Sequence, residues 1–461
     1  MSRRADMIVL VLLAGLCLAA LWRVVTVVGL AVPLDPNEGW NAYHAAAAMG
    51  AGPLYPGAHS YMVNNYPPLS FYLVGAVGLL TGDNIIAGRI VSLAAFAAIA
   101  AGMYASARGM RCARTASAFA PLLFATTLLL STDYVGMDDP QLLAHAVATG
   151  GFLLVLREPR RVETLFLAAF AFVAAFFIKH NVVAMAGAAT IWLLLTDRKR
   201  GVQLAALGLG LLFAGLALFH LIYGQSLLSV VATARLYSLE QLEAGASGWL
   251  NWTLLPIAAL GFLIIRRGRE PYVQLCALYV LIASAIGLAF LGGAGVDPNV
   301  LFDADIALAL STAMVLDRLS GWRAAIVSAA LAAPFFHAAA MNEDWRDAQS
   351  WLHPLREETG FAREDIAMVA REPGPALCEM QSFCYWAGKP PAVDVFNVGQ
   401  QFDTGARSDA ELARRIEARR YAVIQFDPDS PYSLGQNVHD AMARAYRLHH
   451  EDDFGSFYVP R

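Results

Sequence analysis

Apolar runs separated by short charged loops occupy most of the first 341 residues, at about 8–30, 86–107, 115–132, 140–156, 163–178, 182–196, 202–223, 248–265, 271–292, 301–317 and 324–341. Most approach the roughly 20 residues that a helix needs to cross about 30 Å of hydrocarbon, and the shorter ones must extend into polar flanks. Helix rather than strand follows, because backbone polar groups in lipid must be satisfied within the segment. Alanine and leucine richness agrees with it. A soluble chain of 461 residues, 57% hydrophobic and only 15% charged, cannot hide that much apolar surface. The first run follows Arg3 and Arg4, lacks a convincing cleavage site and reads as a retained signal-anchor.

Lysine and arginine alternate between loops, which sets the orientation. One set of loops carries Arg108, Arg111 and Arg114; Arg157, Arg160 and Arg161; Arg198, Lys199 and Arg200; Arg266, Arg267 and Arg269; and Arg318 and Arg323. The other carries Asp35 and Glu38; Asp133, Asp138 and Asp139; Glu240 and Glu243; and Asp297. The basic set belongs in the cytoplasm with the N-terminus. The acidic set is then external, and about eleven spans put the C-terminus there too. Residues 67–80 are apolar but short, and counting them as a span would invert the rest, so they read as a re-entrant or interfacial helix. No basic nucleic-acid patch is present.

From about residue 342 the composition becomes that of a soluble domain. Short apolar stretches at 375–380, 391–398, 421–427 and 454–460 read as strands, and 408–420 reads as a helix with Ser408 as its cap. The expected architecture is a polytopic α-helical membrane protein, residues 1–341, whose first external loop spans about 31–85. A small α/β extracytoplasmic domain follows at 342–461. Cys378 and Cys384 fall in that domain, where a disulfide is permitted; two packed thiols are the alternative.

Three external segments carry candidate chemistry. In 34–45, Asp35 and Glu38 sit at the membrane exit, where partial desolvation suits a carboxylate to act as a base or metal ligand. They could equally cap and reinforce a surface helix. In 131–146, Asp133, Asp138 and Asp139 crowd one short loop ahead of His145. They could bind a divalent ion or position a hydroxyl-bearing acceptor, although one of them could merely cap the helix after Pro140. In 176–181, Lys179 and His180 interrupt two apolar helices and suit a phosphate at headgroup level, with snorkelling as the structural alternative for Lys179. Arg89 is a similar cation, and Arg23, deeper, could pair with Glu38 or Asp35. Carboxylates and cations on one face suit a reaction on a lipid-linked phosphate.

The order of these elements resembles the C-type superfamily of integral membrane glycosyltransferases, in particular the bacterial group of protein mannosyltransferases and lipid A aminoarabinose transferases. The resemblance rests on the acidic motif after the first run, Tyr66 to Gly75 (YPPLSFYLVG), Gly88 to Ser92 (GRIVS), the aspartates of the second external loop, Lys179, and Gly295 to Asp303 (GVDPNVLFD) with Asn299. It implies a polyprenyl-phosphate sugar donor in a bacterial inner membrane, used on the external face with inversion at the anomeric carbon. The acceptor would be an envelope glycan, lipid or protein. Asp35 or Glu38 would be the base. Asp138 or Asp139 would position the acceptor or, with Asp35, a divalent metal, and Lys179 and Arg89 would meet the donor phosphate. The terminal domain would cap the cavity. The family often has adjacent Asp-Glu where this chain has Asn37-Glu38, and a cation before Pro67-Pro68 where it has Asn64, Asn65 and Tyr66. Either His59, Lys179 or Arg89 would supply that cation, or the donor differs in detail.

A lipid or solute transporter is the main rival. It predicts midplane charges, broken helices and a hydropathy repeat, whereas charge here gathers at one face. A scaffold for envelope assembly and an O-antigen polymerase or ligase are further alternatives. Trp40, Tyr43, Tyr61, Tyr66, Trp249 and Trp252 suit either sugar stacking or the interfacial aromatic belt.

Overall fold

The computed structural model describes residues 2–57, 59–233, 235–342, 348–427 and 434–461. The side chains of Arg3 and Arg4 lie outside the described residues, as does the joint at 343–347. The chain opens with α1 (Ser2–Val27), a short α2 (Pro36–Ala46), a loop, and α3 (Leu69–Thr81). A helical bundle follows: α4 (Asn84–Gly109), α5 (Arg114–Ser131), α6 (Gln141–Arg157), α7 (Val162–Ile178), α8 (Ala184–Thr196), α9 (Arg198–Tyr223), a short α10 (Leu227–Val231), α11 (Leu239–Arg267), α12 (Pro271–Leu291), α13 (Phe302–Arg318) and α14 (Trp322–Met341).

Among the described residues, eight helices are long and apolar enough to cross a membrane; α3, α6, α7 and α8 are apolar but shorter. α13 is the centre of the bundle, with every residue from Phe302 to Leu316 except Asp305 buried. α9 lies at the periphery and exposes Leu209, Phe213, Leu218 and Leu221, an apolar surface of the kind that hydrocarbon covers. The acidic and basic loops sort to opposite ends. At one end Tyr134 donates to Asp297 at 2.9 Å; at the other Ala113 N donates to Asp317 at 2.7 Å and Arg318 pairs with Glu270 at 2.7 Å.

The C-terminal part begins with α15 (Ala348–Arg371). It continues as β1 (Ala376–Cys378), α16 (Gln381–Trp386), α17 (Val395–Asp403), α18 (Ala410–Glu417), β2 (Val423–Phe426), α19 (Gln436–Ala445), β3 (Tyr446–Asp452) and β4 (Gly455–Pro460). The sheet order is β1-β2-β4-β3, with β1 and β2 parallel and the other pairs antiparallel. Cys378 and Cys384 are joined by a disulfide. The strand expected at 391–398 is absent: Asp394 instead caps α17, its carboxylate accepting from Asn397 N at 3.0 Å. β3 was not expected, because its run of arginine, histidines and acids lacks apolar alternation; it forms the charged edge of the sheet.

This sheet packs onto the acidic-loop end of the bundle. Trp386 donates to Asp83 at 2.8 Å, Tyr43 to the Lys389 carbonyl at 2.8 Å, and Trp40 to Asp394 at 3.0 Å. Gly39 lets α2 meet α16 backbone to backbone, since any Cβ there would overlap Gln381 and Ser382.

Candidate active site

The site is built on α2. Asp35 is its N-cap and Pro36 takes the first helical position, which suits a residue without an N–H. Glu38, one turn in, is wholly buried and fully engaged. It accepts from Arg89 at 2.7 and 2.6 Å, from Leu34 N at 3.0 Å and from Asp138 N at 3.1 Å. Arg89, from α4, also donates to the carbonyls of Val27, Leu30 and Val32, so one guanidinium ties α4 to α2 and to the end of α1. Asp138 closes the lock: its carbonyl accepts from Asn41 at 2.7 Å and its carboxyl packs where a Cβ at Gly88 would otherwise stand. Burial, with Glu38 and Asp139 nearby, pushes the Asp138 carboxyl well above the usual range.

In front of this lock lies a cavity of about 430 Å3 between the bundle and the terminal sheet. Asp35 lines it. Its Oδ1 holds Asn37, while burial and the neighbouring Asp297 and Asp139 push its carboxyl up to about 7. Lys179, which follows α7, reaches the same cavity between Asp139 Oδ2 at 3.3 Å and the face of Tyr66 at 3.6 Å. Burial disfavours its charge, but Asp139 and Tyr66 outweigh that and hold it above its ordinary value. Arg235 lines the cavity from the loop before α11, over the ring of Phe396 at 5.2 Å. His180 and Asn299 complete the sequence-derived residues there. Burial, then Lys179 and Arg235, pull His180 down to about 4, so it offers a neutral imidazole rather than a second cation.

Among the described residues, four that line the cavity carry buried polar atoms without a protein partner: Asn65 Oδ1, His180 Nδ1, Asn181 Oδ1 and Gln381 Oε1. Buried polar atoms are normally paired, so the cavity wall is shaped for a polar, hydrogen-bonding occupant.

Residues 65–223 match the family described as dolichyl-phosphate-mannose-protein mannosyltransferase. Among solved structures, ArnT from Cupriavidus metallidurans bound to undecaprenyl phosphate is similar over 97% of each chain, with TM-score 0.64 and 13% identity. The archaeal oligosaccharyltransferase AglB from Archaeoglobus fulgidus, in complex with an inhibitory peptide and a dolichol-phosphate, is similar over 99% of this chain and 74% of its own, with TM-score 0.57 and 14% identity. The chain has the fold of the C-type membrane glycosyltransferases. The comparison with curated proteins gave no match.

Within this C-type fold the residues singled out from sequence separate into two layers. Asp35, Tyr66, Lys179, His180 and Asn299 line the cavity. Glu38, Arg89, Asp138 and Asp139 stand behind it and hold its wall. Arg89 is enclosed by Glu38 and three carbonyls rather than turned toward the cavity, and the pairing considered for Arg23 with Glu38 is made by Arg89 instead. Arg23 lies over the Trp351 ring. His59 is exposed away from the cavity, its carbonyl held by Arg407 at 3.1 Å.

Asp35 and Asp138 sit in different surroundings. One faces the cavity and the other packs into the lock, and among the described residues the group with three convergent metal-binding atoms is elsewhere. Sequence reasoning missed Arg235, Asn397 and Asp394. Nothing local marks them; Asp394 and Asn397 reach the cavity because α17 of the terminal domain lies against α2, and Arg235 reaches it from the loop before α11.

Proposed function

We propose that this chain is a glycosyltransferase that moves a sugar from a polyprenyl-phosphate donor to an envelope acceptor, a glycan, lipid or protein, on the external face of a bacterial inner membrane. The observation that carries the reading is the shared cavity: a carboxyl near neutrality, Asp35, lines the same space as two cations, Lys179 and Arg235. Asp35 removes the proton from the acceptor hydroxyl or amine. The freed lone pair attacks the anomeric carbon from the face opposite the phosphate, and the carbon–oxygen bond to phosphate breaks with inversion. The departing polyprenyl phosphate takes the electron pair, and Lys179 and Arg235 balance the charge that develops there. The unpartnered atoms of Asn65, Asn181 and Gln381 are suited to sugar hydroxyls.

The same reading assigns topology. Counting α1, α4 to α9 and α11 to α14 as spans gives eleven crossings, with α3 interfacial, the N-terminus cytoplasmic and the terminal sheet outside. Residues 1–341 then form the membrane catalytic domain and 342–461 the external cap.

Purified protein in liposomes, given radiolabelled sugars on synthetic polyprenyl phosphates and envelope acceptors, tests the reading. Label transferred to an acceptor supports it. Absence of turnover across a broad donor panel, with lipid or solute moved across the bilayer instead, replaces it with the transporter reading.

A further inference from the structure

Away from the cavity, β3 and α15 bring together a second constellation. His450 Nε2 lies 2.6 Å from Asp365 Oδ1 and 3.7 Å from Asp452 Oδ2. The three donor atoms lie within 4.8 Å of one another. Asp365 is almost wholly buried, and its Oδ2 has no hydrogen-bond partner among the described residues.

A single ion pair leaves one of the two carboxylates without a cation. One imidazolium balances a single carboxylate, and here two converge on it. A neutral imidazole with two carboxylates and a divalent cation is balanced. The ring is prepared for that role: it stacks on Phe457 at 4.6 Å and 6°, and its Nδ1 lies 3.0 Å from His449 Nδ1. An ion bound at Nε2 would leave the ring proton on Nδ1, beside His449, as in histidine ligands fixed by an outer partner.

We propose that Asp365, His450 and Asp452 bind one divalent transition-metal ion of the zinc type, which clamps α15 to the edge of the terminal sheet. Imidazole with carboxylates suits zinc better than calcium or magnesium, which take oxygen ligands alone. Zinc bonds of about 2.0–2.1 Å place tetrahedral donors roughly 3.3 Å apart, so the 2.6 Å pair must open and the 3.7 Å pair must close. The ion takes the place of the proton between His450 and Asp365. Water fills the fourth position, and the partly exposed His450 and Asp452 side chains give it an entry path. The site is structural: none of its ligands lines the cavity.

Zinc calorimetry on chelator-stripped, tag-free full-length protein in detergent tests this, comparing wild type with His450→Gln, Asp452→Asn and Asp35→Asn. Circular dichroism verifies that each variant is folded. Wild type and Asp35→Asn are expected to bind one zinc per chain. His450→Gln and Asp452→Asn are each expected to bind at least roughly tenfold more weakly. Absence of saturable binding by wild type, or undiminished binding by both His450→Gln and Asp452→Asn, overturns the proposal. So does loss of binding only in Asp35→Asn, which would place the ion in the cavity.

Discussion

Arg89 grips Glu38 through two hydrogen bonds, Nε to Oε1 at 2.7 Å and Nη2 to Oε2 at 2.6 Å, with both side chains sealed from solvent. The pair joins α4 to α2, and α2 carries Asp35 into the cavity. Removing one member leaves the other charge buried alone, at a cost of about 3–5 kcal/mol. Arg89→Ala is therefore expected to lower thermal stability sharply and to reduce the yield of folded protein in detergent. Glu38→Gln is expected to do so too, because the amide oxygen replaces only one of two accepting oxygens and the amide NH2 then faces two donors. An Arg89→Ala protein that melts with wild type would contradict this assignment.

The raised carboxyl of Asp35 has consequences for pH. In the unfolded chain it titrates near its ordinary 3.8, and in the fold at about 7. Between those values the folded state holds a proton that the unfolded state has released, so the Asp35 contribution to stability falls as pH rises from about 4 to about 7. Asp35→Asn removes this dependence. Its melting temperature relative to wild type is expected to be higher at pH 7.5 than at pH 4.5. A difference that does not change with pH would argue against the raised value. Transfer by wild type is expected to rise through the same region and level off above it.

Arg235 has few structural duties, since it donates to the Ala294 carbonyl at 3.3 Å and rests over Phe396. Arg235→Met is expected to lower kcat by roughly 10²-fold, in the range for losing one donor to developing charge. The melting temperature should hardly change, and Arg235→Lys should recover part of the rate. Lys179→Gln is expected to lose both rate and stability, because it leaves Asp139 buried without its cation. Equal rates for wild type and Arg235→Met would remove Arg235 from the phosphate site.

The disulfide between Cys378 and Cys384 closes a short loop that leads Glu379 and Gln381 to the cavity and sets Ser382 against Gly39. Closing a loop of that size stabilises by about 2 kcal/mol in the chain-entropy account. Reduction, or the paired change Cys378→Ser and Cys384→Ser, is expected to lower stability by that order and to reduce transfer. Unchanged melting on reduction would show that the bridge adds nothing to the cap.

Long apolar runs made the bundle legible from sequence, because hydrocarbon demands them residue by residue. The brevity of α3 and the cap at Asp35 were legible for similar local reasons. The division of labour among the charges was not. Sequence placed Arg89 beside Lys179, but only the fold shows that four groups enclose one and that the other faces the cavity. The contribution of the terminal sheet was least legible. Trp40 meets Asp394 across more than three hundred residues, and no local pattern in either segment announces the other.

The central claim is that Asp35 is the base and Glu38 the scaffold behind it. Its most direct test is sugar transfer by wild type, Asp35→Asn and Glu38→Gln under saturating donor, each normalised to folded protein. The account predicts at least about 10²-fold loss for Asp35→Asn, with its melting temperature at neutral pH no lower than that of wild type, because asparagine also caps helices. Glu38→Gln should keep most of its rate per folded molecule. Wild-type rates in Asp35→Asn, with transfer abolished in folded Glu38→Gln, would contradict it and make Glu38 the base.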